Sequence, residues 1–310
     1  MIYTLINSVV LMAMLMAIGF YIRNKGVLND EGEGALIYLL VNVTNPAMII
    51  NAMNIDFSPE QLKNGAVIVA TAVIFDILLF LLGKVSFSKV TNSEKEKIMR
   101  FSAAFMNGGF MGFPLVAQLY GPQGMFYATM FYIPNMTFMW TYGLKLLLGN
   151  NENRGTGKLL KSMFLNPGMI AIYAGFILYF TQLELPLFAT KLLELLTNAT
   201  TVISMIIVGS KVATIGLKES FVSRDAYFAT FLRIIISPVI MIIMLKFVEL
   251  GQMVEEIFVI YASLPVAALS TIMAQKYGGD SQLGSKLVVI THLLSLLTIP
   301  IYRNLNRNNG

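Results

Sequence analysis

The stretch Asn107-Gly108-Gly109-Phe110-Met111-Gly112-Phe113-Pro114 decides how this chain is read. Inside a continuous helix each glycine costs ~1 kcal/mol and a proline ~3 kcal/mol relative to alanine. Pro114 also removes an N–H and disfavours the α conformation at Phe113. An unwound turn is therefore expected. The sequence around it is apolar enough to lie at bilayer depth, where non-helical backbone is tolerated only if buried in protein or lining a wet cavity. A plain proline kink with small residues for close packing is the competing reading. A second break weighs against it: Ala262-Ser263-Leu264-Pro265, with Ala267, Ala268 and Ser270 beyond.

Composition supports the membrane setting. The 310 residues are 56% hydrophobic and 13% charged, against about 25% charged in soluble domains. Apolar runs near the length needed to cross about 30 Å of hydrocarbon fall at 2–22, 34–54, 63–83, 98–119, 122–148, 165–181, 186–209, 221–248, 255–276 and 283–303. They are too long and too uniformly apolar for barrel strands. The expected fold is an all-α polytopic membrane protein of ten transmembrane helices. The first span has no basic residue before it and no small-x-small cleavage site, so it reads as a retained helix rather than a signal.

Charge sets the orientation. The net charge of +5 comes from basic residues in short loops, which the positive-inside rule explains without invoking nucleic acid. The odd-numbered loops carry most of the 22 lysines and arginines: Arg23 and Lys25; Lys84, Lys89, Lys95, Lys97 and Arg100; Lys145, Arg154, Lys158 and Lys161; Lys211, Lys218 and Arg224; Lys276 and Lys286. These loops are expected in the cytoplasm, with both termini outside a multi-pass cell membrane protein. Lys211 is expected to snorkel to the cytoplasmic interface.

The two halves echo one another. Leu40-Val-Asn42-Val-Thr44-Asn45 in the second span matches Leu196-Thr-Asn198-Ala-Thr200-Thr201 in the seventh, and the break at Pro114 in the fourth matches the one at Pro265 in the ninth. Five spans per half make the second repeat, 150–310, inverted relative to the first, 1–149. Broken helices at matching positions of inverted repeats point to a transporter site near the midplane. Each break creates a helix N-terminus carrying N–H groups and about half a positive charge. Two such ends pointing at one spot make an anion site without a buried lysine or arginine. The expected substrate-binding residues are Asn107, Gly108, Gly109, Gly112, Pro114, Ser263 and Pro265 at the breaks, with Thr44, Asn45 and Asn135 facing them. For the last three, interhelical hydrogen bonding is the competing role.

Two titratable residues lie inside spans. Asp76, in the third, is read either as the carrier of a coupling proton or as a structural partner for a polar group such as Arg233 in the eighth. His292, in the tenth, is the single histidine. It is read either as a proton-coupling group or as a hydrogen-bonded packing residue. With no cysteine and one histidine, no metal and no cofactor is expected. HExxH, GxSxG and P-loop motifs are lacking, which argues against an enzyme or an ATP-driven pump. An anion channel or a membrane receptor for a small carboxylate is the alternative to a carrier. A channel would more naturally show a filter or a continuous polar pore face.

These segments also carry a family resemblance. Asn107–Pro114 followed by Leu119-Tyr-Gly121, Leu165-Asn-Pro167, Arg233 with Pro238, Leu264-Pro-Val-Ala-Ala, Ala274-Gln-Lys-Tyr277 with Asp280, and Leu297-Thr-Ile-Pro300 together resemble the auxin efflux carrier family. That family includes bacterial malonate-permease-like proteins and plant PIN carriers. The resemblance implies crossing fourth and ninth helices. It implies a transport unit of helices 3–5 and 8–10 moving, elevator-fashion, against a scaffold of helices 1, 2, 6 and 7. It implies a homodimer through scaffold helices 2 and 7, and a small carboxylate substrate held at the crossover, with Asn107 at the position of a carboxylate-binding asparagine. The chain lacks the long central cytoplasmic loop of many plant members.

Overall fold

A computed structural model describes residues 2–149, 164–215, 223–248 and 250–309. The expected loop cations Arg154, Lys158, Lys161 and Lys218 lie outside the described residues. Among the described residues the chain is helical and has no strand, only an isolated antiparallel bridge between Met106 and Val266.

The helices are α1 (Ile2–Asn24), α2 (Asp30–Leu39), α3 (Asn45–Met53), α4 (Pro59–Ser86), α5 (Ser93–Ala104), α6 (Phe113–Phe138) and α7 (Leu144–Leu148), then α8 (Pro167–Thr181), α9 (Leu187–Ile215), α10 (Arg224–Phe231), α11 (Ser237–Leu245), α12 (Gln252–Ala262), α13 (Leu269–Tyr277) and α14 (Ser281–Asn309). Among the described residues six runs are long and apolar enough to cross a membrane: Tyr3–Asn24, Asp30–Met53, Pro59–Ser86, Leu187–Ile215, Arg224–Leu245 and Ser281–Leu305; Pro167–Thr181 is a shorter apolar helix.

Local chemistry explains the boundaries. Asn29, Asn92, Asn166 and Ser223 stand at N-caps and accept from the N–H groups of Gly32, Lys95, Met169 and Ala226, satisfying donors that a helix start leaves unpaired. Pro167 follows Asn166 at the first helical position, where its missing N–H costs nothing. Gly121 divides α6 with φ 61° and ψ −152°, a conformation that glycine adopts without penalty.

Among the described residues four π-helical turns interrupt the helical paths: Leu40–Thr44, Gly108–Gly112, Met139–Gly143 and Leu232–Ile236. Three end two residues before a proline, namely Pro46, Pro114 and Pro238. A proline removes its own N–H and its ring crowds the carbonyl four residues back, so the ladder loosens over that turn.

The described chain forms two compact units. The first comprises Met1–Ile68, Gly109–Ile133 and Thr156–Thr214. Within it α1 and α9 approach so closely that a Cβ at Gly19 would strike the backbone of Ile206, and one at Gly209 the backbone of Met16. Lys211 does not simply reach for the interface. It forms an ion pair with the buried Glu33 of α2, whose second oxygen accepts from Ser210. A carboxylate buried at that helix start calls for a cation, and Lys211 supplies it.

The second unit comprises Val69–Gly108, Pro134–Gly155 and Ile215–Gly310. Its core includes Phe75, Phe101, Phe105, Phe258 and Tyr261. A buried ion pair joins Glu256 of α12 to Arg303 of α14: Nε donates to Oε2 at 2.8 Å, and Nη2 lies 2.6 Å from the same oxygen.

Candidate functional site

In the second unit α5 stops at Ala104 and Phe105 turns extended (φ −106°, ψ 123°). α12 stops at Ala262, and helix resumes only at Leu269. The two interruptions pair with one another. Asn107 N–H donates to Pro265 O at 2.9 Å, and Ala267 N–H donates to Phe105 O at 3.0 Å, flanking the Met106–Val266 bridge. Val266 N–H donates to Thr291 Oγ1 of α14 at 3.1 Å. Backbone that has left the helix thus recovers its hydrogen bonds inside the protein, as burial in an apolar setting demands.

This arrangement differs from the expected pair of open helix ends. The N–H groups of Asn107, Val266, Ala267 and Ser270 are spent on protein acceptors. The non-helical residues are Phe105–Asn107 rather than the glycines, which coil into the π turn Gly108–Gly112. The Asn107 side-chain amide remains beside the paired breaks as a neutral donor.

Asn107 is 4% exposed, and its Nδ2 lies 2.8 Å from Nε2 of the fully buried His292. His292 Nδ1 lies 2.7 Å from Val288 O. Both ring nitrogens are occupied. Asp76, 3% exposed, accepts from Asn135 Nδ2 through Oδ1 at 2.8 Å, while its Oδ2 and Asn135 Oδ1 are buried without a hydrogen-bond partner. Asn135 also leans on Ala104 O, the last carbonyl of α5, at 3.5 Å. Two residues singled out separately in the sequence are therefore one cluster.

Arg233, fully buried, makes no direct ion pair with Asp76 among the described residues. Its Nε donates to Leu264 O at 2.9 Å and its Nη2 to Tyr261 O and Ala262 O at 3.2 Å. Ser237 adds a bond to Ala262 O at 2.8 Å. The guanidinium thus sits on the carbonyl end of α12, the negative pole of that helix. Ser263 spends its hydroxyl on Val259 O at 2.7 Å within the same helix end and is fully buried, so it does not present that hydrogen to a ligand.

The remaining expected residues belong to the first unit. Thr44 Oγ1 and Asn45 Oδ1 are buried without a partner. Gly109 lies against both Tyr132 and Asn45: a Cβ there would come within 3.0 Å of Tyr132 Oη and 3.3 Å of Asn45 Nδ2. Pro114 leaves Phe110 O, four residues earlier, without its helical donor. Ser204 Oγ of α9 donates to that oxygen at 2.8 Å. Sequence reading missed Ser204 and Tyr132. For Ser204 the available signal was a small hydroxyl residue just beyond the repeated Asn-x-Thr motif of the seventh span.

Known proteins resemble this chain over nearly its full length. A family model described as membrane transport protein matches residues 4–303. An uncharacterized transporter of Methanothermobacter thermautotrophicus is 27% identical over 301 residues, covering 96% of each chain. An uncharacterized transporter of Methanocaldococcus jannaschii is 25% identical over 304 residues, covering 96% of this chain and 97% of its own.

Proposed function

We propose that this chain, which belongs to the membrane transport protein family anticipated from its resemblance to auxin efflux carriers, is a secondary carrier that moves a small carboxylate by elevator-type alternating access. The family is one of membrane transporters, which is not an enzyme class. The observation that carries the anion reading is the paired break, with the buried Asn107 amide beside it. A neutral amide orients a carboxylate without an ion pair too strong to release.

In this reading the helical paths make ten spans in two inverted five-helix repeats, with both termini outside the cell membrane. The first compact unit, which holds the first, second, sixth and seventh spans, acts as scaffold. The second unit, which holds the eighth to tenth spans and most of the third, acts as the moving part. The first, second, sixth and seventh spans falling in one unit and the eighth to tenth in the other supports that assignment, while Gly109–Ile133, from the fourth and fifth spans, falls in the first unit. The apolar side chains Tyr38 and Val43 of the second span and Leu195 and Val202 of the seventh are exposed, which suits a dimer contact there.

For coupling, Asp76 is the proton carrier in this reading. Its Oδ2 is a buried carboxyl oxygen without a donor, an open place for one hydrogen. Sodium is disfavoured because Arg233 already occupies the carbonyls at the end of α12 that a metal cation would use.

The test is uptake into proteoliposomes of labelled malonate and acetate, with unlabelled anion inside. Saturable uptake stimulated by the internal anion supports the carrier. Unitary currents or flux that never saturates would replace it with a channel. Binding without flux would replace it with a receptor.

A further inference from the structure

Residues 291 and 292 of α14 do the same thing on adjacent positions. Thr291 Oγ1 donates to Leu287 O, four residues back, at 2.7 Å, and accepts from Val266 N–H in one break. His292 Nδ1 bonds to Val288 O, also four residues back, and its Nε2 meets Asn107 in the other break. Both side chains are fully buried. Each is tied to its own helix by one atom and to a break by another.

From this geometry we propose that Thr291 and His292 form a positioning pair, in which a neutral imidazole protonated at Nδ1 dictates which way the Asn107 amide faces. The hydrogen placement follows from a single acceptor. Val288 O can only accept, so Nδ1 carries the hydrogen. A neutral ring with its hydrogen on Nδ1 leaves a bare lone pair on Nε2. The Asn107 atom 2.8 Å away must then be the donor, Nδ2. Turning the amide over would set Oδ1 against that lone pair, removing a bond and opposing two acceptors. The tautomer of His292 and the face of Asn107 are therefore one choice, made by a backbone carbonyl on α14.

The amide keeps one Nδ2 hydrogen and Oδ1 for other partners. Among the described residues His292 is its one side-chain hydrogen-bond partner. If Asn107 contacts the carried anion, which is the proposal of the previous subsection, His292 presents to that anion a single N–H with its direction fixed. The ring acts through Asn107 and does not itself touch the ligand.

The chain contains one histidine, so a protein labelled with nitrogen-15 histidine yields the spectrum of His292 alone. The expected spectrum of the full-length protein in detergent is a neutral ring with hydrogen on Nδ1 and a hydrogen-bonded, unprotonated Nε2. Asn107→Ala should shift Nε2 and leave Nδ1 in place. A ring protonated on Nε2, an imidazolium, or an Nε2 signal indifferent to Asn107→Ala would overturn the proposal, and none of these readouts depends on transport.

A second arm uses malonate uptake in proteoliposomes. His292→Leu should raise KM about two- to tenfold, the worth of one hydrogen bond. His292→Gln, which retains an acceptor, should recover part of it. His292→Leu added to Asn107→Ala should cost nothing further; additive losses would overturn the positioning role. Should the parent move neither malonate nor acetate, the transport reading fails, while the nitrogen spectrum still decides the role of His292.

Discussion

Ser204 donates its hydroxyl to Phe110 O at 2.8 Å, and Phe110 O is the carbonyl that Pro114 deprives of a helical partner. One residue creates a need in the chain and another, far along it, meets that need. Ser204→Ala should therefore lower stability by about 1–3 kcal/mol, the cost of leaving a buried acceptor unpaired. Pro114→Ala in the same background should recover part of the loss, because residue 114 then brings an N–H to Phe110 O. Thermal unfolding of the two single variants and the double variant in detergent checks this. Equal losses with and without Pro114 would break the link.

How much of this was legible beforehand depends on the reach of each interaction. Prolines and glycines act on their own chain, so the interruptions near Pro114 and Pro265 were legible. The partners were not. That Phe105–Asn107 would extend, while the glycines coiled, follows from the carbonyl of Pro265 and the N–H of Ala267, which are distant in sequence. Lys211 read as an interfacial cation because nothing nearby shows that Glu33 of α2 is buried against it. For the same reason the sequence offered Arg233 as the partner of Asp76, whereas Asn135 is the one that donates to it.

Asn107 carries the sharpest functional expectation. Asn107→Ala should weaken binding of the transported carboxylate about ten- to hundredfold, equivalent to ~1.5–3 kcal/mol for a hydrogen bond to a charged group. Asn107→Asp should weaken it more, by opposing a second negative charge. Helix content by circular dichroism should stay near that of the parent. Calorimetric titration with the identified anion reads the loss, and parental affinity in both variants would move the site elsewhere.

Asp76→Asn keeps the shape of the side chain and removes the oxygen that has no donor. Uptake driven by a pH gradient should be abolished, while exchange of internal for external anion continues. If the variant still accumulates anion in response to the gradient, Asp76 is not the proton carrier.

Arg233 bonds three carbonyls at once through a planar fork, a geometry that an ammonium group does not reproduce. Arg233→Lys should retain the charge and still lose about 2 kcal/mol of stability through bonds it cannot remake. Arg233→Leu should be worse. Urea or thermal unfolding ranks the three proteins, and a lysine variant as stable as the parent would show that charge alone matters at the end of α12.

The orientation is open to labelling because the chain has no cysteine. A cysteine placed at Gln123, at the outer start of the fifth span, should react with an impermeant maleimide applied from outside. One placed at Ser93 should react only after the membrane is opened. External labelling at Ser93 would invert the assignment.

The bridge between Met106 and Val266 also sets an order of events during synthesis. Asn107 precedes its partner His292 by 185 positions, so most of the remaining chain must leave the ribosome before that bond can form. A peptide group left unpaired in lipid costs several kcal/mol, so the newly inserted first half has reason to keep residues 105–107 coiled. Completion of the second half then supplies their lasting partners, the carbonyl of Pro265 and the N–H of Ala267. On this account the paired break, with the Asn107–His292 contact that completes it, is the last part of the molecule to mature.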